Sequence, residues 1–483
     1  MTSTVTEPPI TEYRQCSTCG FATPATRERC HHCWNRLDED APILDPDVAQ
    51  DLLQRQEVFL AERASQQRAR QRRRNLILGA VGLVLLAWVG WWFYRSYIYT
   101  PPPVPEASNP ALQMLSGPDV WATSGGDREG SRSIDAPVPL DGAEAWSVAL
   151  GGEPVTPLVA DTERAYVVME DRVAAVSIAD GSVVWEFNLQ GAPFASPTIA
   201  GGRLYLALRA GQLLALDAAS GEPLWYSLNA GTRFGTSPIV VDGYAYVFGL
   251  GRLVAFDAET GEELWSSENR GQVGFANPAV TDDHIAGVTG SEVLVFRRDN
   301  GAQTYFYEFA RAFPYSTVAK DGVIYASSRR YTVAFEETSD RPWWEIWRAG
   351  WNQFWLWGIA PSVPQPEQLW VNLDPPLADG FAATIAGDML ILGSRDGEVQ
   401  ALRLSDGSEV WRLPEVGNRA MANGPLTTSD GVLLPLEDRL LLVDPSTGAT
   451  LDERPVEGDL RDVVVTTTGM YVLTTDGTLT AVR

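Results

Sequence analysis

The feature that most constrains this chain is a forty-residue period in its C-terminal three-quarters. Ala175-Val-Ser-Ile-Ala-Asp-Gly181-Ser-Val-Val-Trp185 recurs as Ala215-Leu-Asp-Ala-Ala-Ser-Gly221-Glu-Pro-Leu-Trp225, as Ala255-Phe-Asp-Ala-Glu-Thr-Gly261-Glu-Glu-Leu-Trp265, and as Val295-Phe-Arg-Arg-Asp-Asn-Gly301-Ala-Gln-Thr-Tyr305. Weaker copies close at Trp344, Trp411 and Asp452, and Trp146 stands 39 residues before Trp185. Each unit reads as an alternating strand, a turn, a second strand, a Gly-centred turn and a last strand bearing the aromatic. Four short antiparallel strands cannot bury a core alone, but units of this length can pack face to face around a channel. The chain ends at Thr478-Leu-Thr-Ala-Val-Arg483, in a repeat that stops before its aromatic strand, and the strand carrying Trp146 can supply it. The closing positions 146, 185, 225, 265, 305, 344, 411 and 452 number eight. The expectation is an all-β, eight-bladed β-propeller over residues 121–483, closed by pairing 144–150 with 478–483.

These repeats resemble the pyrroloquinoline-quinone-like (PQQ-like) repeat family, whose pattern is roughly A-x-D-A-x-T-G-x-x-x-W. Leu216-Asp217-Ala218 with Gly221 and Trp225, and Phe256-Asp257-Ala258-Glu259-Thr260-Gly261 with Trp265, carry the resemblance. Trp121-Ala-Thr-Ser-Gly-Gly-Asp127 is similar to the family's lead-in before the first blade. The resemblance implies that Trp146, Trp185, Trp225, Trp265, Trp344 and Trp411 are structural, docking on the Gly-turn of an adjacent blade. Tyr305 and Asp452 depart from it at the Trp position, as does Asp340 at the Gly position.

The same resemblance implies either a dehydrogenase holding PQQ and calcium in the channel or a cofactor-free assembly scaffold. The residues argue against PQQ and calcium. No Cys lies beyond Cys33, so there is no cysteine pair to face a quinone, and the propeller's one His, His284 in Thr281-Asp-Asp-His-Ile, reads as a surface turn residue. Asp180, Asp242, Asp321 and Asp406 fall in Asp-Gly turns, where Asp can close Asx turns. The reading is a non-enzymatic binding or scaffold protein of the envelope with a protein or peptide partner. A quinone-dependent dehydrogenase and a transmembrane sensor are the alternatives.

Leu76 to Tyr94 is 19 residues without a charge, about 28 Å of helix, enough to cross a hydrocarbon core of about 30 Å. Arg68, Arg70, Arg72, Arg73 and Arg74 precede it and only Arg95 follows. The positive-inside rule then places residues 1–75 in the cytoplasm, a single span at 76–95 in the cytoplasmic membrane, and the propeller outside it. Residues 45–75 read as a charged juxtamembrane helix and 96–120 as a Pro-rich linker.

All four cysteines stand in the N-terminal part as Cys16-Ser-Thr-Cys19 and Cys30-His-His-Cys33, a short zinc-ribbon-like pattern spanning 12–37. Four thiolates fill a tetrahedral shell, so the expected zinc is structural. Charge divides along the chain as well. The first 75 residues carry 11 Arg and 11 Asp or Glu, whereas residues 96–483 carry a net −26, which excludes nucleic acid as a partner of the propeller.

Two surfaces are candidates for binding. Loops that start the innermost strands carry Phe194, Arg233, Phe234, Phe275, Arg311, Phe313 and Arg419, which would cluster at one channel mouth or else pack between blades. A Trp-rich insertion at 345–372 breaks the period. In it Trp347, Trp351, Phe354 and Trp355 share one face of a short helix that could cap the propeller, meet the membrane or dock a partner.

Overall fold

The second and third strands of each repeat are near-continuous apolar runs such as Arg203–Leu208 and Gln212–Asp217, because both of their faces are buried. The outer strands alternate instead, as in Val183–Asn188. Strands that are apolar on both faces need a neighbouring sheet on each side, and a ring of sheets supplies one to every blade. The computed structural model describes residues 12–38, 40–94, 102–268, 276–309, 314–338, 354, 357–359, 368–373, 377, 380–414, 416 and 420–483. They fall into two units, 1–99 and 100–483.

The second unit is an eight-bladed propeller, each blade a four-stranded antiparallel sheet. Blade 1 comprises Val159–Ala160, Arg164–Val168, Arg172–Ser177 and Val183–Asn188. Blades 2 to 7 follow at 198–226, 239–268, 279–308, 314–372, 384–413 and 426–455. Blade 8 takes three strands from 460–482 and its outer strand from Glu144–Ala149, with Glu144 opposite Val482 and Ala149 opposite Thr478. The closure expected from the chain ends is the one observed. It leaves no unpaired strand at either terminus.

The outer strand of every blade carries one bulge at the same place. Ala175 pairs with Trp185 and Val176 with Val183, leaving Val184 over, and the shift recurs beside Trp225, Trp265, Tyr305, Trp370, Trp411, Asp452 and Trp146. The extra residue twists the strand and turns the aromatic toward the next blade.

Blade 5 requires a correction. Ala334 pairs with Trp370, so Trp370 and not Trp344 holds the repeat position, and Trp344 lies outside the described residues. The insertion therefore sits inside the blade, between Thr332–Glu336 and Gln368–Asn372, rather than between two blades. Its Trp347, Trp351 and Trp355 lie outside the described residues; Phe354 and Trp357 are exposed and meet edge to face at 6.0 Å.

The first unit holds a two-stranded ribbon, Tyr13–Gln15 against Ala22–Pro24, and one helix, Pro46–Phe93. Asp45 caps that helix by accepting from the Asp47 amide, with Pro46 at the first position. The charged and apolar stretches, read separately from the sequence, are one continuous element of about 72 Å. It is long and apolar enough to cross a membrane.

Asp residues that open the third-to-outer-strand turns act as local caps. Hydrogen bonds from the Ser182, Ser408 and Ser446 hydroxyls hold Asp180, Asp406 and Asp444 below the usual carboxylate range, and the Ser220 amide does so for Asp217. A carboxylate with a lowered folded-state pKa contributes stability that is present above the unfolded value of about 3.9 and is lost as pH falls through the folded one. Melting of the propeller is accordingly expected to vary little from pH 7 to 5 and to fall steeply below about pH 4. The fourfold Asp→Asn variant at 180, 217, 406 and 444 should flatten that acid limb; an unchanged limb would show that the turns do not set it.

Candidate functional sites: a cysteine quartet and a plugged channel

Two similar knuckles build the cysteine site. The Gly20 amide donates to Cys16 O (2.8 Å) and the Cys16 amide to Phe21 O; the Trp34 amide donates to Cys30 O (3.0 Å) and the Cys30 amide to Asn35 O. Each knuckle needs a left-handed residue after its second cysteine. Gly20 supplies one at φ +74°, and Trp34 is held there at φ +61° with its ring largely exposed.

The four Sγ atoms lie within 4.8 Å of one another, with Cys16 to Cys33 at 3.6 Å and Cys19 to Cys30 at 3.5 Å. An S–S bond would need about 2.05 Å. Zinc–sulfur bonds of about 2.3 Å put tetrahedral sulfurs about 3.8 Å apart, so the quartet can hold a metal ion. Burial alone would raise the Cys30 thiol, but hydrogen bonds from Thr23 Oγ1 and from the Cys33 and His32 amides bring it down to about 6. Burial pushes Cys19 up to about 12. Cys30 thus carries the thiolate nearest to hand at neutral pH. His32 stacks on Phe21 at 3.9 Å and His31 Nδ1 meets Thr23 Oγ1 at 3.2 Å, so the histidines brace the knuckles.

In the propeller, strand direction sorts the connections onto two faces. First-to-second and third-to-outer turns share one face; blade-to-blade connections share the other. The Pro-rich stretch, read as a linker over 96–120, is docked on the first face from residue 104 onward. Val104 N donates to Asp299 O, Tyr244 Oη to Pro105 O, and Ser108 to the Asp257 carboxylate through both its amide and its hydroxyl.

Farther along, residues 114–134 cross the channel and bond the innermost strand of seven blades and, in blade 8, Thr467 just beyond it. Met114 N reaches Val240 O, Leu115 N reaches Ile199 O, and Trp121 pairs with Ala160. The carbonyls of Pro118, Arg128, Glu129, Ser131 and Arg132 accept from Thr467, Val280, Ala319, Ile385 and Thr427. This mouth is plugged by the chain's own backbone.

Arg132, 3% exposed, fixes the plug by donating to Ser124 O (2.6 Å), Pro425 O (3.0 Å) and Gly424 O (3.0 Å). Asp462, also buried, takes the Leu158 amide and Asn423 Nδ2. Burial pulls the guanidinium down and pushes the carboxyl up, and the opposite charge of each resists the shift of the other. Asp127 closes the plug's turn by accepting the Glu129 and Ser131 amides.

Of the residues expected at the other mouth, the described ones divide. Arg233 is exposed, and Phe194 is half-buried with Arg209 over its ring at 5.1 Å. Phe234 does not belong to that surface. It is 1% exposed and packs edge to face on Phe256 at 6.0 Å, because its neighbours Gly235 and Leu250 tie the loop into the blade. Phe275, Arg311, Phe313 and Arg419 lie outside the described residues.

His284, read as a surface residue, is buried at 9% exposure, since the end of the third strand of blade 5 covers its turn. Its Nδ1 stands 3.9 Å from Glu337 Oε2, and burial holds it below the usual histidine range against the pull of that carboxylate. It borders a cavity of about 590 Å³ also lined by Val104, Tyr246 and Arg298.

Blade Trp residues meet Gly-turns as a lock. The carbonyl three residues before the Gly accepts the indole Nε1: Trp146 to Ile178 O (3.0 Å), Trp185 to Ala218 O (3.1 Å), Trp370 to Leu404 O (2.7 Å) and Trp411 to Pro445 O (2.8 Å). Trp225 and Trp265 press on Gly261 and Gly301 by the ring.

Comparison with known proteins agrees with this geometry. The family described as outer membrane protein assembly factor BamB matches residues 131–346, 229–423 and 395–483. No curated protein matches the sequence. Similar solved structures include BamB from Moraxella catarrhalis (16% identity, TM-score 0.56, covering 71% of this chain and 99% of that one). The quinohemoprotein alcohol dehydrogenase from Comamonas testosteroni is also similar (14% identity, TM-score 0.55, covering 75% and 80%). So is the computationally designed Ika8 protein (12% identity, TM-score 0.54, covering 72% and 99%). At these identities the structures share a fold and nothing more.

Proposed function

The chain belongs to the family described as outer membrane protein assembly factor BamB, and from that premise we propose a membrane-anchored, non-enzymatic scaffold. Its propeller binds a protein, peptide or small ligand in the cell envelope. The observation that supports this best is the plug, which commits one mouth of the channel to the chain's own backbone.

Among the described channel residues, the carboxylates are committed elsewhere rather than to a quinone–calcium pair. Calcium takes six to eight oxygen ligands, whereas Asp462 is engaged by Asn423 and Leu158 and faces Arg132, and Asp127 is taken up by the plug. Among the described residues, no group of three or more His, Cys, Asp or Glu side chains other than the cysteine quartet converges on one point. Purified full-length protein mixed with PQQ and calcium is expected to give no saturable change in quinone absorbance and no alcohol or sugar oxidation. Saturable binding with turnover would overturn the scaffold reading in favour of a dehydrogenase.

The helix is the membrane anchor, with the Arg-rich end and the ribbon in the cytoplasm and the propeller outside. The ligand face is then the mouth opposite the plug, where Arg233 is exposed and to which the repeat pattern of the sequence assigns Phe275, Arg311, Phe313 and Arg419. The Trp-rich insertion, with Trp347, Trp351 and Trp355, is a second contact surface for a partner.

Zinc is the ion for Cys16, Cys19, Cys30 and Cys33, closing the shell and stabilising a ribbon in which Leu37 and Phe21 pack against the cysteines. Metal analysis should find about one zinc per chain. Cys33→Ser should lose it without changing propeller melting; metal retained at full occupancy would remove the four-thiolate assignment.

A further inference from the structure

The long helix sorts its charges along its length. Between Asp47 and Glu62 acids and bases are mixed, and Arg55 pairs with Asp51 one turn away at 2.8 Å. Beyond Glu62 no Asp or Glu occurs until Glu106, while Arg68, Arg70, Arg72, Arg73 and Arg74 crowd into two turns. All five are exposed.

At 100° and 1.5 Å per residue, their directions around the axis are about 0°, 200°, 40°, 140° and 240°, over about 9 Å of rise. They form a collar rather than a stripe. The helix runs on without interruption to Phe93, and Arg74 is about 3 Å of rise from Leu76, where the apolar stretch begins. The collar's height relative to that stretch is therefore fixed by the helix itself. The polar layer beside a hydrocarbon core is only about 5–8 Å thick, and Arg side chains can reach into it along their length.

We propose that this collar binds the phosphates of anionic phospholipids in the leaflet on the N-terminal side of the span. The inference rests on the helix being a membrane span. Charge complementarity selects the occupant: five guanidiniums with no carboxylate on their stretch of helix meet the one anionic surface that the adjoining apolar segment brings beside them.

The test uses the full-length chain in phosphatidylcholine bilayers carrying trace spin-labelled phosphatidylglycerol or spin-labelled phosphatidylcholine. The measurement is the fraction of label held at the protein, at about 20 mM and about 500 mM salt, where the Debye length falls from about 20 Å to about 4 Å. The anionic lipid should associate several-fold more than the zwitterionic one at low salt and approach parity at high salt. The variant R68Q/R70Q/R72Q/R73Q/R74Q keeps helix propensity and should show parity throughout. Equal association of both lipids in the unaltered protein, or a preference that survives the five substitutions, overturns the proposal. So does loss of the preference to a short RNA at physiological salt, which would make nucleic acid the occupant. Release of the protein by alkaline carbonate defeats the span and the collar together; retention with equal association defeats the collar alone.

Discussion

Trp411→Ala is expected to lower propeller stability by about 3–5 kcal/mol, the range for removing a large buried aromatic. Trp411 is 9% exposed and belongs to the cluster that joins blades 6 and 7. Its indole donates to Pro445 O at 2.8 Å, and its ring lies so close to Gly448 that a Cβ there would sit 2.9 Å away. Gly448 also holds φ +72°, so its Ala variant combines strain with a clash and should cost about 1–3 kcal/mol. Asp452 occupies the same repeat position one blade later without a lock, and Asp452→Ala should stay within about 0.5 kcal/mol. Denaturant midpoints of the full-length protein would separate the three. Equal midpoints for Trp411→Ala and Asp452→Ala would remove the lock as the source of stability.

That contrast also accounts for the two departures from Trp. Trp146, Trp185, Trp225, Trp265, Trp370 and Trp411 each face a Gly-turn on the following blade, at Gly181, Gly221, Gly261, Gly301, Gly407 and Gly448. The blade after Tyr305 has the long insertion where that turn would be, and in the blade after Asp452 Arg483 meets the start of the strand Glu144–Ala149 there, with the Arg483 amide on Ala143 O. Among the described residues no Gly meets either position: Tyr305 packs on Phe335 of the following blade at 5.0 Å and Asp452 is half-buried.

Blade number was legible because each aromatic sits at a bulge that recurs in all eight sheets, so spacing in sequence maps to position in space. The blade-5 register was not, because both Trp344 and Trp370 could close the repeat. The usable signal was Gln368-Leu-Trp-Val-Asn372, an alternating segment like Glu409-Val-Trp-Arg-Leu413, whereas Trp344 runs into Glu-Ile-Trp. The cysteine quartet was legible from spacing alone, since two short knuckles bring four sulfurs within reach wherever the intervening ten residues run.

The plug was hidden for a different reason. Its contacts with the blades are largely backbone amides and carbonyls, so the Trp121–Asp127 lead-in marked where the propeller begins but not that the segment bonds blade after blade. Phe234 and His284 were misplaced because a loop residue's burial depends on what the next blade or the docked N-terminal segment lays over it. Neither cover is encoded in the repeat.

Arg132, which donates to three backbone carbonyls, is a side chain through which the plug can be tested directly. Arg132→Ala leaves three channel carbonyls without their donor and removes the cation that Asp462 faces. Each buried carbonyl left without a donor costs about 1–3 kcal/mol, and Asp462 loses the nearby positive charge that favours its ionised form. The sign of the pH dependence follows. Burial already raises the Asp462 pKa in the folded state, and loss of Arg132 raises it further, so the folded protein takes up a proton more readily than the unfolded chain. The penalty is therefore full above that raised pKa and is relieved as pH falls through it. The stability gap between Arg132→Ala and the unaltered protein should narrow as pH falls through that raised pKa, and R132A/D462N should show a smaller gap that does not narrow. Proteolysis should follow the same order, with cleavage between residues 102 and 120 faster in the single variant than in the double variant or the unaltered protein. A gap independent of pH in R132A would mean that the lost hydrogen bonds alone, and not the stranded Asp462, carry the cost.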